Sequence, residues 1–95
     1  MSQRFKIAHV TEQGVDLIIV PLEPAFNHKS LQQQRQFIGA LQGYADEAGL
    51  AGTVVPVWQN GGRMQFIAPQ GFHPFFRSIS WNVVISNLNK ELICG

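Results

Sequence analysis

Residues 15–22 (VDLIIVPL) are apolar on both sides of an extended chain: Leu17 and Ile19 point one way, Ile18 and Val20 the other. Side chains of a strand alternate between faces, so such a strand belongs in the middle of a sheet covered on both sides. No other feature limits the fold as much. A chain of 95 residues has room for one domain, 1–95, with one core and few helices to cover it. Pro21 and Pro24 end the strand. A second β-rich run, 5–10 (FKIAHV), precedes it across Thr11-Glu12-Gln13-Gly14, a turn composition. The two runs read as an N-terminal hairpin.

Ser30 and Gln33 have the spacing of a capping box, which predicts a helix over 31–48. Leu31, Phe37, Ile38, Leu41, Tyr44, Ala45 and Ala48 form its apolar stripe, and Gly49 is placed to stop it. Gly39 and Gly43 lie one turn apart on the polar side, near Gln32 and Gln36. Each costs ~0.8–1.0 kcal/mol relative to alanine in a helix interior. Two explanations stand: exposed positions that tolerate glycine, or a smooth strip where the same helix of a second copy approaches.

A second hairpin is expected over 53–68 around Asn60-Gly61-Gly62, with either Asn60-Gly61 or Gly61-Gly62 as the central pair. Both registers put Val55, Val57, Met64 and Phe66 on one face, a core face. Pro56, Trp58, Arg63 and Gln65 share the other, which leaves Trp58 on a mostly polar surface beside Arg63. Pro56 cannot donate to a ladder and places this strand at an edge. Residues 72–79 fit a short helix, with Phe72, Phe75, Phe76 and Ile79 on one side. Residues 81–93 fit two periods. Trp81, Val84, Ile85, Leu88 and Leu92 make a helical stripe, whereas Trp81, Val83 and Ile85 alternate like a strand. The helix gives an α+β fold, ββαββα, with an antiparallel sheet of about four strands. The strand gives a pattern approaching the ferredoxin-like βαββαβ. The helix is preferred, because Leu88 and Leu92 prolong its stripe.

Charged residues are only 14% of the chain, against ~25% in an average soluble protein, and the net charge is +1. That balance gives no electrostatic reason to expect nucleic acid or an anionic membrane. It also leaves little repulsion between copies. The apolar runs are too short to span a bilayer, no secretory signal is visible, and the single Cys94 rules out an internal disulfide. A cytoplasmic protein is expected. No histidine or cysteine spacing suits a metal, no nucleotide fingerprint precedes the long helix, and no nucleophile elbow is present. No cofactor is expected.

Two stretches could carry chemistry. His28, Lys29 and Ser30 stand at the start of the long helix, where free N–H groups favour an anion. His73, Phe72, Phe75, Phe76, Arg77 and Trp81 crowd into ten residues, and an aromatic pocket with an imidazole and a guanidinium suits a small organic acid. His9 falls in a strand and reads as a packed histidine. Three function classes follow: a non-enzymatic binding or regulatory module; a small-ligand pocket around Phe72–Trp81; and an enzyme using His28 or His73 as general base, for which no partner residue can be assigned. Low charge, the Pro56 edge, Trp58 and the Gly39/Gly43 strip favour a homodimer with Trp58, Arg63, Gly39 and Gly43 at its interface, and either residues 72–93 or that second copy covers the second apolar face.

Overall fold

The computed structural model describes residues 3–94. The N-terminal hairpin forms between β1 (Gln3–Glu12) and β2 (Val15–Pro21). Gln13 and Gly14 turn the chain with φ of 54° and 75°, the left-handed pair that a two-residue hairpin demands. Beyond a 3-10 turn (Pro24–His28) comes α1 (Leu31–Glu47). The capping box is complete: the Gln33 N–H donates to the Ser30 hydroxyl at 3.1 Å, and the Ser30 N–H donates to Gln33 Oε1 at 3.0 Å. Gly49, at φ 74°, follows the last turn.

The long connection through α1 returns the chain to its starting end. β3 (Thr53–Asn60) therefore lies parallel to β2, from Leu17↔Thr53 to Pro21↔Val57. β4 (Arg63–Phe66) folds back antiparallel on β3. Asn60 pairs with Arg63, which makes Gly61-Gly62 the central pair, at φ 60° and 86°. A 3-10 turn (Gln70–Phe72), α2 (His73–Ser78) and α3 (Trp81–Ser86) follow. β5 (Lys90–Cys94) then pairs antiparallel with β1, from Gln3↔Cys94 to Ile7↔Lys90. The sheet has five strands in the order β4-β3-β2-β1-β5.

The α+β class holds; the expected ββαββα order is not matched exactly, because α3 and β5 follow it, and the purely antiparallel four-stranded sheet is not formed. The sheet is mixed, and the ferredoxin-like alternative is not formed either. Residues 81–93 are neither one helix nor one strand: a short helix, Trp81–Ser86, is followed by a strand from Lys90. Trp81 and Val84 pack α3 on the sheet, while Val83 and Ile85 stay 43% and 42% exposed. Asn87 and Ser86 then bond back to the Val83 and Asn82 carbonyls, and the helix stops. Leu92 continues as strand and is buried in the opposite layer.

β2 lies in the middle of this sheet, covered on both sides. On one side Ile18 and Val20 meet Leu41, Ala45, Val54 and Phe26 beneath α1. On the other, Leu17 and Ile19 meet Val55, Val57, Phe76 and Val84 beneath α2 and α3. Burying each such side chain contributes roughly 1.5–3 kcal/mol. The second face is thus closed by the chain's own segment.

Two expectations for β3 are corrected. Pro56 is not on an edge strand, since β3 lies between β2 and β4. Its carbonyl turns toward the β4 side and accepts from the Ile67 N–H at 3.2 Å, just past the last β3–β4 pair, Val57↔Phe66. The missing N–H faces this last rung, where it gives up one bond at the end of the ladder. Trp58 is not on a polar surface either. It is 5% exposed, packed edge-on against Phe26 at 4.9 Å, and its indole N–H donates to Asn27 Oδ1 at 3.2 Å. The 3-10 turn folds over that face and covers it.

Candidate functional site

Strand order makes β4 one edge of the sheet, and α2 and α3 lie beside it. Between them opens a cleft of about 790 Å³, within the usual range for small-molecule sites. The hairpin contributes Gln59, Gly62 and all four residues of β4: Arg63, Met64, Gln65 and Phe66. The helical wall contributes His73, Phe76 and Arg77 from α2, then Ile79, Ser80, Trp81 and Asn82.

The floor is rigid. Phe76 is 1% exposed and packs against Phe66 at 5.3 Å and Phe75 at 5.1 Å between ring centres. His73 stands edge-on to Phe66, 5.2 Å away. Its Nε2 lies 2.9 Å from the Ala68 carbonyl, which can only accept, so Nε2 carries the proton and donates. In the neutral ring Nδ1 is then the acceptor. Among the described residues no carboxylate hydrogen-bonds this imidazole, which is held by the backbone instead.

The walls are cationic. Arg63 and Arg77 come from different elements and line the same cleft, and among the described residues no aspartate or glutamate lines it. The ion pair recorded among the described residues lies elsewhere, between Arg4 and Glu91 at 3.9 Å.

Of the residues expected around an aromatic pocket, His73, Phe76, Arg77 and Trp81 line the cleft, and Arg63 joins them. Phe72 and Phe75 do not; they pack into the layer between helices and sheet. Gln59, Met64, Gln65, Phe66, Ser80 and Asn82 were not anticipated. Their contribution depends on β4 being an edge strand beside α2, which is a matter of strand order.

The helix-start group is dispersed. Ser30 is consumed by its capping box, and its carbonyl accepts from the Gln34 N–H. His28 is exposed at the end of the 3-10 turn. Lys29 lines a separate hollow of about 510 Å³ with Arg4, Lys6, Phe5, Phe26 and Phe37, where β1 and the chain leaving β2 part. Gly39 and Gly43 are exposed, with nothing within 4 Å of an added Cβ. Among the described residues no three His, Cys, Asp or Glu side chains gather to hold a metal ion, and no helix is long and apolar enough to cross a membrane. Comparison with protein-family models, curated proteins and solved structures returned no significant match to this chain.

Proposed function

We propose that this chain is a non-enzymatic binding module whose β4–α2–α3 cleft holds a small organic acid. One observation carries the reading: two arginines from separate elements line a single cleft that has no aspartate or glutamate among its described lining residues. Arginine presents a planar fork that matches a carboxylate, and hydrogen bonds to charged groups contribute about 1.5–3 kcal/mol each. Trp81 and Phe66 supply apolar surface for the remainder of the ligand, and Asn82, Ser80 and Gln65 supply neutral polar groups. A reducing cytoplasm suits the reading. Cys94 is buried, and desolvation raises its pKa, which favours the thiol over the thiolate.

Thermal unfolding with succinate and with benzoate tests this. A ligand at ten times its Kd stabilises the fold by about 1.4 kcal/mol, a rise of several degrees in Tm for a domain of this size. Arg77→Gln is expected to abolish most of that rise, and His28→Gln to leave it intact. A rise that persists unchanged in Arg77→Gln would remove this cleft as the site.

A further inference from the structure

We propose that the cleft takes an extended acidic peptide, which adds to the sheet as a sixth strand along β4. The inference rests on the carboxylate-binding reading above and names the class of ligand that presents the carboxylates.

The backbone of β4 supplies the first argument. Asn60↔Arg63 closes a two-residue turn, and the closing pair of such a hairpin exchanges both of its hydrogen bonds. Bonding alternates along an antiparallel ladder, so Arg63 and Gln65 direct their N–H and C=O groups to β3. The Ile67 N–H, which donates to the Pro56 carbonyl, keeps the same parity. Met64 and Phe66 therefore direct their N–H and C=O groups outward, and β4 is the last strand on that side. These are four unused backbone groups at the spacing an added strand requires.

The cleft supplies the second. Consecutive residues of a strand alternate between faces, yet all four residues of β4 line this cleft. A hollow over one face would be lined chiefly by every other residue. One that meets all four runs along the open edge, with α2 and α3 as its far wall. Four residues of strand extend roughly 13 Å, which sets the bound segment at about three to five residues.

Charge selects the occupant. The described lining holds Arg63 and Arg77 and no acidic side chain, so a peptide with glutamate or aspartate at alternate positions is favoured and a basic one is repelled. Backbone pairing would supply affinity, and the arginines would supply the preference for acidic sequence.

The test uses the whole chain and a dye-labelled Glu-Val-Glu-Val-Glu peptide, acetylated and amidated at its ends, followed by fluorescence anisotropy. Saturable binding is expected, with at least a fivefold loss when lysine replaces glutamate and a similar loss when alternate peptide nitrogens are methylated. Methylation changes only the ligand, so folding of the protein is not in question. Arg63→Gln and Arg77→Gln are each expected to weaken binding three- to tenfold, and the amide resonances of Met64 and Phe66 are expected to shift on titration. Binding that is indifferent to N-methylation would overturn strand addition, as would no saturable binding at millimolar peptide. Succinate, titrated separately, decides the organic-acid reading: if it binds and the peptide does not, only the strand-addition inference falls.

Discussion

A Cβ added at Gly52 would lie 2.6 Å from the carbonyl oxygen of Asp16 and 2.9 Å from its carbonyl carbon, and φ there is 132°. Both obstacles are backbone, so neither can swing aside. Gly52 precedes β3 at the point where it comes alongside β2, and a side chain would hold the two strands apart. Gly52→Ala is expected to destabilise the fold by ~1–3 kcal/mol from backbone conformation alone, with the clash in addition. Gly39→Ala should act oppositely, because that glycine has helical geometry and open space, and should gain about 0.8–1.0 kcal/mol. Urea midpoints of the two variants check both signs. A Gly52→Ala protein as stable as the parent would show that the approach to Asp16 relaxes freely. In sequence, Gly39 and Gly43 were the conspicuous glycines, since they interrupt a helical pattern. Gly52 was silent, because its role is a contact with a residue thirty-six positions earlier. Trp58 shows the same limit. Its alternation with Gln65 was legible, but the cover over it comes from Phe26 and Asn27, which pattern alone does not bring near.

Side-chain amides join the elements where the backbone ladders stop. Gln42 on α1 accepts from the Val54 N–H at 2.9 Å and donates to the Gly52 carbonyl at 3.0 Å, fastening the helix to the start of β3. Asn89 does the same for β1: its side chain accepts from the His9 N–H at 2.8 Å and donates to the His9 carbonyl at 2.9 Å, just ahead of β5. Gln42→Ala strands two partly buried backbone groups and is expected to cost about 1–3 kcal/mol, whereas Gln36→Ala, on the exposed side, should stay within about 0.5 kcal/mol. Equal urea midpoints for the two variants would mean that water replaces the Gln42 latch without loss. Elements built from local signals were readable in sequence. The capping box at Ser30, the stop at Gly49 and the glycine turn after Asn60 each act within a few residues. β5 was not readable, because the five residues of KELIC become a strand only through their pairing with the first half of β1. The stripe that seemed to run from Trp81 to Leu92 joined two elements whose apolar residues face opposite layers. The candidate cleft was half legible for a related reason. Its aromatic and basic residues on α2 are sequence neighbours, but β4 reaches them only through the order of the sheet.

For the molecule as a whole, the apolar second face of β2 needs a cover, from residues 72–93 or from a second copy. α2 and α3 take over that task within one chain: Phe76 and Val84 are each 1% exposed against Leu17, Ile19, Val55 and Val57. Trp58 is likewise spent inside the chain, and Pro56 does not mark an open edge. Among the described residues, surface left for self-association includes the Gly39/Gly43 strip, Leu31 on α1, Val83 and Ile85 on α3, and the outer edge of β5, where Ile93 is 55% exposed. Exposed apolar residues taken singly are ordinary, and stable interfaces bury on the order of 1,200–2,000 Å². Light scattering coupled to size exclusion is therefore expected to give the mass of one chain at micromolar concentration, unchanged on dilution. The β4 edge is the exception to watch, because a groove that accepts an added strand accepts one from a second copy as well. There the charge pattern works against self-pairing, since each copy brings Arg63 and Arg77 to the groove and no acidic residue among its described lining. A dilution-stable dimer would contradict this account. If an acidic peptide then dissolved that dimer, the shared surface would be the β4 edge; if it did not, the interface would lie at α1, α3 or β5.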